Sequence, residues 1–199
     1  LDTAAALSPE RTVVVYGHGG DAVRETMSAR DIAWAEQAEQ KGTGHAVQQA
    51  VPKLSDQGRV LVLLGDVPLL QSQTKQDLLS GTPKDGVGVL AVRVADPTGY
   101  GRIVRDAAGG VQAIVEHRDA TPEQLEINEI NTGVFVLPGK QLASWLDSIT
   151  PHNAQGEYYL TDVIGLAADG DTPISATPCS DFEEVMGIND RVHLAQAER

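Results

Sequence analysis

Polar residues that could do chemistry stand at the ends of apolar segments along the chain. They are Asp66, Tyr100 with Gly101, Glu116, Asn131, Tyr158 with Tyr159, Thr161 and Asn189. A carboxylate and an amide oxygen from separate elements suit one hard cation such as Mg²⁺, which takes few protein ligands and leaves positions for water and phosphate oxygens. A glutamate and an asparagine near a glycine N–H suit sugar hydroxyls and an amide. The set therefore indicates a site for a metal ion and a sugar.

Each of these residues also has an ordinary structural explanation. Asp66 follows a glycine, which is a common turn pair, and Asn131 precedes a threonine and a glycine, where an asparagine can open a turn. Asn189 can cap a helix, and Glu116 can be a charge at the end of a hairpin. The residues alone leave both interpretations open.

A short glycine-rich segment offers a different kind of binding group. Gly42-Thr43-Gly44 precedes a helix that we predict over about residues 45–51. The first N–H groups of a helix are unpaired and carry a partial positive charge, so they can hold a nucleotide base or phosphate. A Gly-Thr-Gly triplet alone is a weak signal.

These residues need a framework, and residues 59–70, RVLVLLGDVPLL, predict its centre. The uninterrupted apolar residues are typical of a parallel strand that is covered on both faces. Ligands of open α/β sheets bind beyond the carboxyl ends of the strands, which is where Asp66 would lie. Strand and helix patterns alternate along the rest of the chain, which indicates an α/β fold.

Three further stretches have patterns of their own. Residues 96–131 predict an antiparallel excursion, with a hairpin that turns at 107–110 and a short helix that begins at Thr121-Pro122. Residues 156–170 predict one helix. A final helix is predicted from Asn189 onward.

Composition limits the classes of partner. The chain has 199 residues and a formal net charge of −13, with 15 Lys and Arg against 28 Asp and Glu. This charge argues against nucleic acid or an anionic membrane surface as a partner. The single cysteine, Cys179, cannot form a disulfide within the chain, which fits a cytoplasmic location. One domain is expected from the length.

Eight motifs occur in an order and at spacings that resemble one family. They are YGHGGD, GTGHA, GDVPLL, DPTGYGRI, IVEH, EINTG, NAQGEYYLTD and GINDR. The chain is similar to the bacterial N-acetylglucosamine-1-phosphate uridyltransferases, the N-terminal part of bifunctional enzymes that also acetylate glucosamine 1-phosphate. The resemblance implies a Rossmann-like nucleotidyltransferase fold with a mostly parallel central sheet flanked by helices. Residues 1–199 would form one pyrophosphorylase domain, with a small antiparallel sugar-binding excursion at about 96–131.

The resemblance also implies a reaction and an assembly. UMP would pass from UTP to N-acetylglucosamine 1-phosphate with Mg²⁺ as cofactor, giving UDP-N-acetylglucosamine and pyrophosphate for bacterial cell-wall precursors. The full-length enzymes also carry a left-handed β-helix acetyltransferase domain, through which a homotrimer is expected.

Site residues follow from the same resemblance. Asp66 and Asn189 would be the catalytic residues and the two protein ligands of Mg²⁺. UTP would contact Gln37, Gln40, Gly42, Thr43 and Leu64, and the sugar would contact Tyr100, Gly101, Glu116, Asn131, Tyr159 and Thr161. Leu64 departs from relatives that carry an aromatic residue there, which puts that one nucleotide contact in doubt.

A second departure is at the start of the chain. The family begins with a strand and a Gly-rich loop whose Arg and Lys clamp the triphosphate, and Leu1 lies beyond both. We therefore expect an unpaired sheet edge beside residues 12–16 or 60–64. We also expect that residues 1–199 alone neither turn over UTP nor fold well, because charge stabilisation of the phosphates is a large catalytic contribution.

Two other functions stay open. A metal-dependent glycosyltransferase of similar topology would normally show Asp-X-Asp after the central strand, whereas Val67 and Pro68 follow Asp66 here. The second alternative is a non-catalytic module that binds a sugar nucleotide.

Overall fold

The structure is a computed structural model that describes residues 1–27, 30–188, 191 and 194–195. The strands are β1 (Val13–Tyr16), β2 (Ala33–Glu36), β3 (Arg59–Val62), β4 (Val87–Arg93), β5 (Arg102–Arg105), β6 (Val111–Val115), β7 (Glu129–Pro138) and β8 (Ile174–Pro178). The α-helices are α1 (Asp2–Ala5), α2 (Asp21–Thr26), α3 (Thr43–Ala50), α4 (Ser72–Gly81), α5 (Pro122–Leu125), α6 (Gly139–Ser148) and α7 (Asp162–Asp169). Two short 3₁₀ helices cover Val51–Lys53 and Glu183–Val185. Most of the final helix predicted from Asn189 onward lies outside the described residues.

The larger sheet is built on β7. β7 pairs antiparallel with both β3 and β4, and β4 pairs parallel with β8. Because β3 and β4 are both antiparallel to β7, they run in the same direction, and β8 shares it. The predicted parallel direction of the central sheet is therefore kept, with β7 inverted within it.

The central strand differs from its prediction in burial. β3 was expected to be covered on both faces, but its residues range from exposed to half-buried. Within the described part of the chain β3 has a ladder with β7 only, and β1 has a ladder with β2 only. Each of these strands therefore leaves one edge without a described strand partner, which confirms the expected unpaired edge.

The excursion after β4 has the predicted form. β5 and β6 form an antiparallel hairpin, and β5 joins the sheet where Arg102 pairs with Ile130 of β7. The Arg105 guanidinium also donates hydrogen bonds of 2.9 and 2.6 Å to the Glu129 carboxylate. Helix α5 begins with a capping box in which Thr121 and Gln124 bond each other's backbone N–H groups. The hairpin is thus anchored beside the first residues of β7.

Both faces of the larger sheet carry a core, and β7 contributes to each. Phe135 and Leu137 lie in a core with residues of α6 and α7, whereas Val134 and Val136 lie in a second core with Leu78 of α4. Successive side chains of a strand point to opposite faces, so β7 alternates between the two cores. Among the described residues, no helix is long and apolar enough to cross a membrane.

The helix predicted over residues 156–170 begins later than expected. Helix α7 begins at Asp162, and Gly156 has a φ of +67°. Tyr158 instead lies against the start of α3: its N–H donates to the Lys41 carbonyl and its carbonyl accepts from the Gly44 N–H, both at 2.8 Å. Since these groups are used by another part of the chain, they are not free for helical hydrogen bonds.

Candidate active site

An open cleft of about 400 Å³ lies beyond the carboxyl ends of β3 and β4. Six residues named from the sequence line it: Leu64, Asp66, Tyr100, Gly101, Glu116 and Asn131. They meet because β7 runs antiparallel to β3 and β4, so its first residues lie at the edge where those two strands end. Six of the predicted residues therefore share one cleft at the carboxyl edge of the sheet.

A second cleft, of about 790 Å³, lies near the opposite edge of the same sheet. It is lined by Arg59 at the start of β3 and Pro138 at the end of β7, and by none of the residues predicted to bind substrates. Ligands of open α/β sheets bind at the carboxyl edge, so the smaller cleft is the better candidate.

Asp66 and the segment that leads to Asn189 are held together. The Ile188 N–H donates to the Asp66 carbonyl oxygen at 2.8 Å. The same segment has a second attachment, because the Glu184 carboxylate accepts a hydrogen bond at 2.5 Å from the hydroxyl of Thr74 in α4. Asn189 itself lies outside the described residues, so its role stays a prediction. The residue before it is nevertheless bonded to Asp66.

Glu116 has one carboxylate oxygen bonded and the other beside Gly101. Its Oε1 accepts a hydrogen bond from the Thr161 hydroxyl at 2.9 Å. A Cβ added to Gly101 would lie 3.2 Å from Glu116 Oε2, so this glycine leaves the carboxylate free to reach the cleft. Burial raises the pKa of the Glu116 carboxyl above its ordinary value, the Thr161 hydrogen bond opposes the rise, and the charge of Asp119 adds to it.

Asn131 is held in place by two hydrogen bonds to backbone groups. Its N–H donates to the Gly101 carbonyl at 2.9 Å, and its side-chain Oδ1 accepts from the Gly133 N–H at 3.0 Å. Gly133 has a φ of +80°, and a Cβ there would lie 2.5 Å from Leu64 Cδ1, so a side chain would meet both strain and a clash. The NH₂ group of Asn131 is the part of the amide left for a ligand.

Two residues predicted to contact the sugar are not among the described residues that line the cleft. Tyr159 is buried, and its hydroxyl donates to Asp119 at 3.3 Å and accepts from Gln155 at 2.8 Å. Thr161 reaches the cleft only through its bond to Glu116. Sequence reasoning missed Asp119, which no motif singles out. It also missed Thr98, Gly99, Thr132 and Gly187, which line the cleft and lie within the named motifs.

The residues predicted to bind uracil gather elsewhere, at the start of α3. The Gln37 NH₂ group donates to the Gly42 carbonyl and lies next to His45 Nδ1, each at 3.0 Å, so its Oε1 is the atom left for a base. Thr43 Oγ1 accepts from the Leu160 N–H at 3.1 Å.

Gln40 belongs to the same group of residues. A Cβ added to Gly17 would lie 2.6 Å from Gln40 Nε2, so the Gln40 amide covers the turn after β1. Of the residues predicted to contact UTP, Leu64 alone is among the described residues that line the cleft.

Comparison with known proteins decides the family. Residues 1–128 match the MobA-like NTP transferase domain. The chain belongs to that family. NTP transferases of this kind generally use divalent metal ions.

Curated relatives confirm the resemblance drawn from the motifs. The chain is 58% identical to the bifunctional protein GlmU of Pseudomonas paraeruginosa over 200 residues, which are 100% of this chain and 44% of that protein. It is 51% identical to the protein of the same name from Dechloromonas aromatica over 199 residues, again 44% of the relative. The chain thus spans less than half the length of the curated relatives it matches.

A solved structure supports the fold independently. The crystal structure of UDP-glucose pyrophosphorylase complexed with UDP-glucose aligns with a TM-score of 0.71, covering 99% of this chain and 84% of that one. Sequence identity is 16%, so this likeness establishes the nucleotidyltransferase fold and not the substrate.

The donors in the cleft suit a metal that needs few protein ligands. Within the described ranges, no group of three or more His, Cys, Asp and Glu side chains is arranged to hold a metal ion. Asp66 offers an exposed carboxylate at the carboxyl edge. A single exposed carboxylate of this kind can bind a divalent metal ion together with substrate phosphates and water.

Replacing Glu116 with glutamine is expected to raise the free energy of unfolding at about pH 7 and to have less effect at about pH 4. The buried carboxyl holds its proton more tightly in the folded chain than in the unfolded chain. Its contribution to stability is therefore full below the unfolded pKa and is lost as the pH rises through the folded pKa. Glutamine removes the charge and keeps an oxygen that can accept from Thr161. Urea denaturation of both proteins at the two pH values measures the difference.

Glu126→Gln is the matched control for this pH dependence. Glu126 is exposed on the same excursion, and the same substitution there should change stability little at either pH. A Glu116→Gln protein whose stability differs from wild type equally at both pH values would show that ionisation of Glu116 is not involved.

Proposed function

We propose that residues 1–199 form one uridyltransferase domain that transfers UMP from UTP to N-acetylglucosamine 1-phosphate. The products are UDP-N-acetylglucosamine, a precursor of the bacterial cell wall, and pyrophosphate. The observation that carries this proposal is the single cleft that holds Asp66, Glu116, Asn131 and the Gly101 backbone. The match to the NTP transferase family supports a nucleoside triphosphate as one substrate, and the similarity to GlmU proteins together with the motif resemblance supports a sugar phosphate as the other.

The reaction forms one bond and breaks one bond at the α-phosphorus of UTP. A phosphate oxygen of the sugar 1-phosphate attacks the α-phosphorus of UTP, and the bond from that phosphorus to the pyrophosphate oxygen breaks. Such transfers ask little covalent chemistry of the protein, which aligns the nucleophile and neutralises charge. The chain's own residues therefore act mainly by holding the two substrates in line.

Separate groups of residues would hold the separate parts of the substrates. Glu116 and Asn131 offer an acceptor and a donor for the hydroxyls and acetamido group of the hexosamine. The residues around the start of α3, with Gln37 at their centre, would hold the uracil. We propose that the excursion at 96–131 forms much of the sugar site.

Asp66, with Asn189, would hold Mg²⁺ beside the phosphates. When bound, Mg²⁺ neutralises charge that develops on the phosphate oxygens. The hydrogen bond between Ile188 and the Asp66 carbonyl supports this pairing, because it brings the chain before Asn189 to the Asp66 loop.

The test is an assay of uridylyl transfer in two forms of the protein. The first form is the 199-residue chain, and the second is a graft in which the chain replaces the matching 200 residues of the Pseudomonas paraeruginosa relative. UTP, N-acetylglucosamine 1-phosphate and Mg²⁺ are supplied, and UDP-N-acetylglucosamine and pyrophosphate are measured. Transfer by the graft, abolished by a metal chelator, is expected. A folded graft that forms no UDP-N-acetylglucosamine would overturn the proposal.

The chain alone tests the expectation about the phosphate clamp. Its activity is compared with that of the graft under the same conditions. If the chain were as active as the graft, other residues of this sequence would have to hold the triphosphate of UTP. Whichever of the two forms is active is called the active form below.

Replacing Glu116 with alanine is expected to raise the KM for N-acetylglucosamine 1-phosphate by about 10- to 100-fold, because a hydrogen bond to a charged group contributes roughly 1.5–3 kcal/mol. The KM for UTP should stay unchanged, since the proposed uracil residues lie at the start of α3. Steady-state kinetics of the active form, with each substrate varied in turn, measures both values.

Glu126→Ala provides the control, because it removes an exposed carboxylate from the same excursion. Its two KM values should match those of the wild type. If Glu116→Ala raised both KM values equally, Glu116 would have a structural role and not a role in sugar binding.

A further inference from the structure

Two segments that are far apart in the sequence are joined next to the sugar site. One is the turn at residues 116–119, which is closed by a 3.0 Å hydrogen bond from the Asp119 N–H to the Glu116 carbonyl. The other is the segment at 154–161 that precedes helix α7. Side-chain hydrogen bonds of Asp119 and Glu116 connect the two segments, and Asp119 makes most of them.

Asp119 uses both of its carboxylate oxygens on the second segment. Its Oδ1 accepts from the Ala154 N–H at 2.8 Å, and its Oδ2 accepts from the Tyr159 hydroxyl at 3.3 Å. Tyr159 is buried, and its hydroxyl also accepts from Gln155 at 2.8 Å. Asp119 therefore holds this segment near its beginning and again two residues before Thr161.

Thr161 completes the connection to the cleft. Its hydroxyl donates to Glu116 Oε1 at 2.9 Å, which leaves Oε2 beside Gly101. Thr161 is buried at the start of α7, so its position depends on how the segment before it is held. A shift of that segment would change the direction of the Glu116 carboxylate.

The charge of Asp119 does not explain its presence here. Asp119 adds to the raised pKa of Glu116 and to that of Asp162, so its negative charge is unfavourable to both neighbours. Its two accepted hydrogen bonds are the favourable contribution that the structure shows. Asp119 does not line the cleft, so it would not contact the sugar directly.

We propose that Asp119 is a positioning residue, which fixes the segment at 154–161 so that Thr161 orients the Glu116 carboxylate toward the hexosamine. The inference rests on the proposed function, and it adds Asp119 as a residue that acts on the sugar through Thr161 and Glu116. In metal sites, removing a residue that orients a ligand side chain typically costs about 10- to 100-fold, and we expect an effect at the low end of that range for the sugar.

Three variants of the active form test this role. Asp119→Ala removes both acceptors and is expected to raise the KM for N-acetylglucosamine 1-phosphate by about tenfold, with kcat and the KM for UTP unchanged. Asp119→Asn removes the charge, but its oxygen can accept from Ala154 and its NH₂ can donate to the Tyr159 hydroxyl, so it should restore most of the sugar affinity. Asp162→Asn removes a nearby negative charge from a half-buried residue and should leave the KM unchanged.

The comparison separates positioning from electrostatics. If Asp119→Asn and Asp162→Asn change the KM in the same direction and by similar amounts, charge is the cause and the inference is overturned. Should Asp119→Ala fail to fold, Asp119→Glu carries the test. It keeps the charge but is longer by one methylene, and it should raise the same KM because it displaces Tyr159 or Ala154.

Failure of this inference is distinguishable from failure of the proposed function. Wild-type active form that makes no UDP-N-acetylglucosamine overturns the proposed function and this inference with it. Active wild type whose Asp119→Ala variant keeps the wild-type KM for the sugar phosphate overturns this inference alone.

Discussion

Uridylyl transfer should fall by about 10²–10³-fold when Asp66 is replaced by asparagine, a loss typical of removing one group that stabilises charge in a transition state. The substitution keeps the size of the side chain and removes the negative charge proposed to hold Mg²⁺. Asp66 is exposed, so the fold should be little affected. The measurement is kcat of the active form at saturating UTP and sugar phosphate, over a series of Mg²⁺ concentrations.

The matched control is Asp56→Asn. Asp56 is also an exposed aspartate in a loop next to β3, but it lies at the cleft by the opposite edge of the sheet. Its replacement should leave kcat and the dependence on Mg²⁺ unchanged. An Asp66→Asn protein with wild-type kcat and wild-type dependence on Mg²⁺ would remove Asp66 from the metal site.

The sequence placed several of the residues that line the cleft on the correct elements. Asp66 follows an apolar strand, Glu116 directly follows the hairpin of β5 and β6, and Asn131 comes after the capped helix α5. Patterns of this kind are determined by residues that are close in the sequence, so the elements that they predict are found in the fold. The resemblance to a family added which of these polar residues act together.

Strand direction could not be predicted from the same patterns. The apolar pattern of residues 134–137 is the same for a strand that runs parallel to its neighbours and for one that runs antiparallel. Its direction is set by ladders with β3 and β4, whose paired residues lie 36 or more positions away. This inverted strand is also the reason that Asn131, near the start of β7, shares an edge with Asp66.

Long-range hydrogen bonds account for the other differences. The predicted helix start near Gly156 was wrong because Tyr158 bonds to Lys41 and Gly44, more than a hundred residues earlier. Asp119 was missed because its partners, Ala154 and Tyr159, lie 35 and 40 residues further along the chain. Neither contact leaves a periodic signal in the sequence.

The largest expected effect on stability is that of Phe135→Ala. Phe135 is 1% exposed and lies opposite Val62 of β3 and Val89 of β4, at the centre of the sheet. Removing a buried phenylalanine leaves a cavity and typically costs about 3–5 kcal/mol. Because native domains are stable by only about 5–15 kcal/mol, this would be a large share of the total. Urea denaturation of the active form measures the change in the free energy of unfolding.

Phe182→Ala is the natural control, since it is the same chemical change at the other phenylalanine. Phe182 is half-buried and packs edge-to-face on Tyr100 at 6.0 Å between ring centroids, so its loss should cost less than half as much. Asn131 and Phe135 both lie in β7, which we expect to unfold as a unit. Phe135→Ala should therefore lower the amount of active protein and leave both KM values unchanged. Equal destabilisation by the two substitutions, or a selective rise in the KM for the sugar phosphate with Phe135→Ala, would contradict the central role of β7.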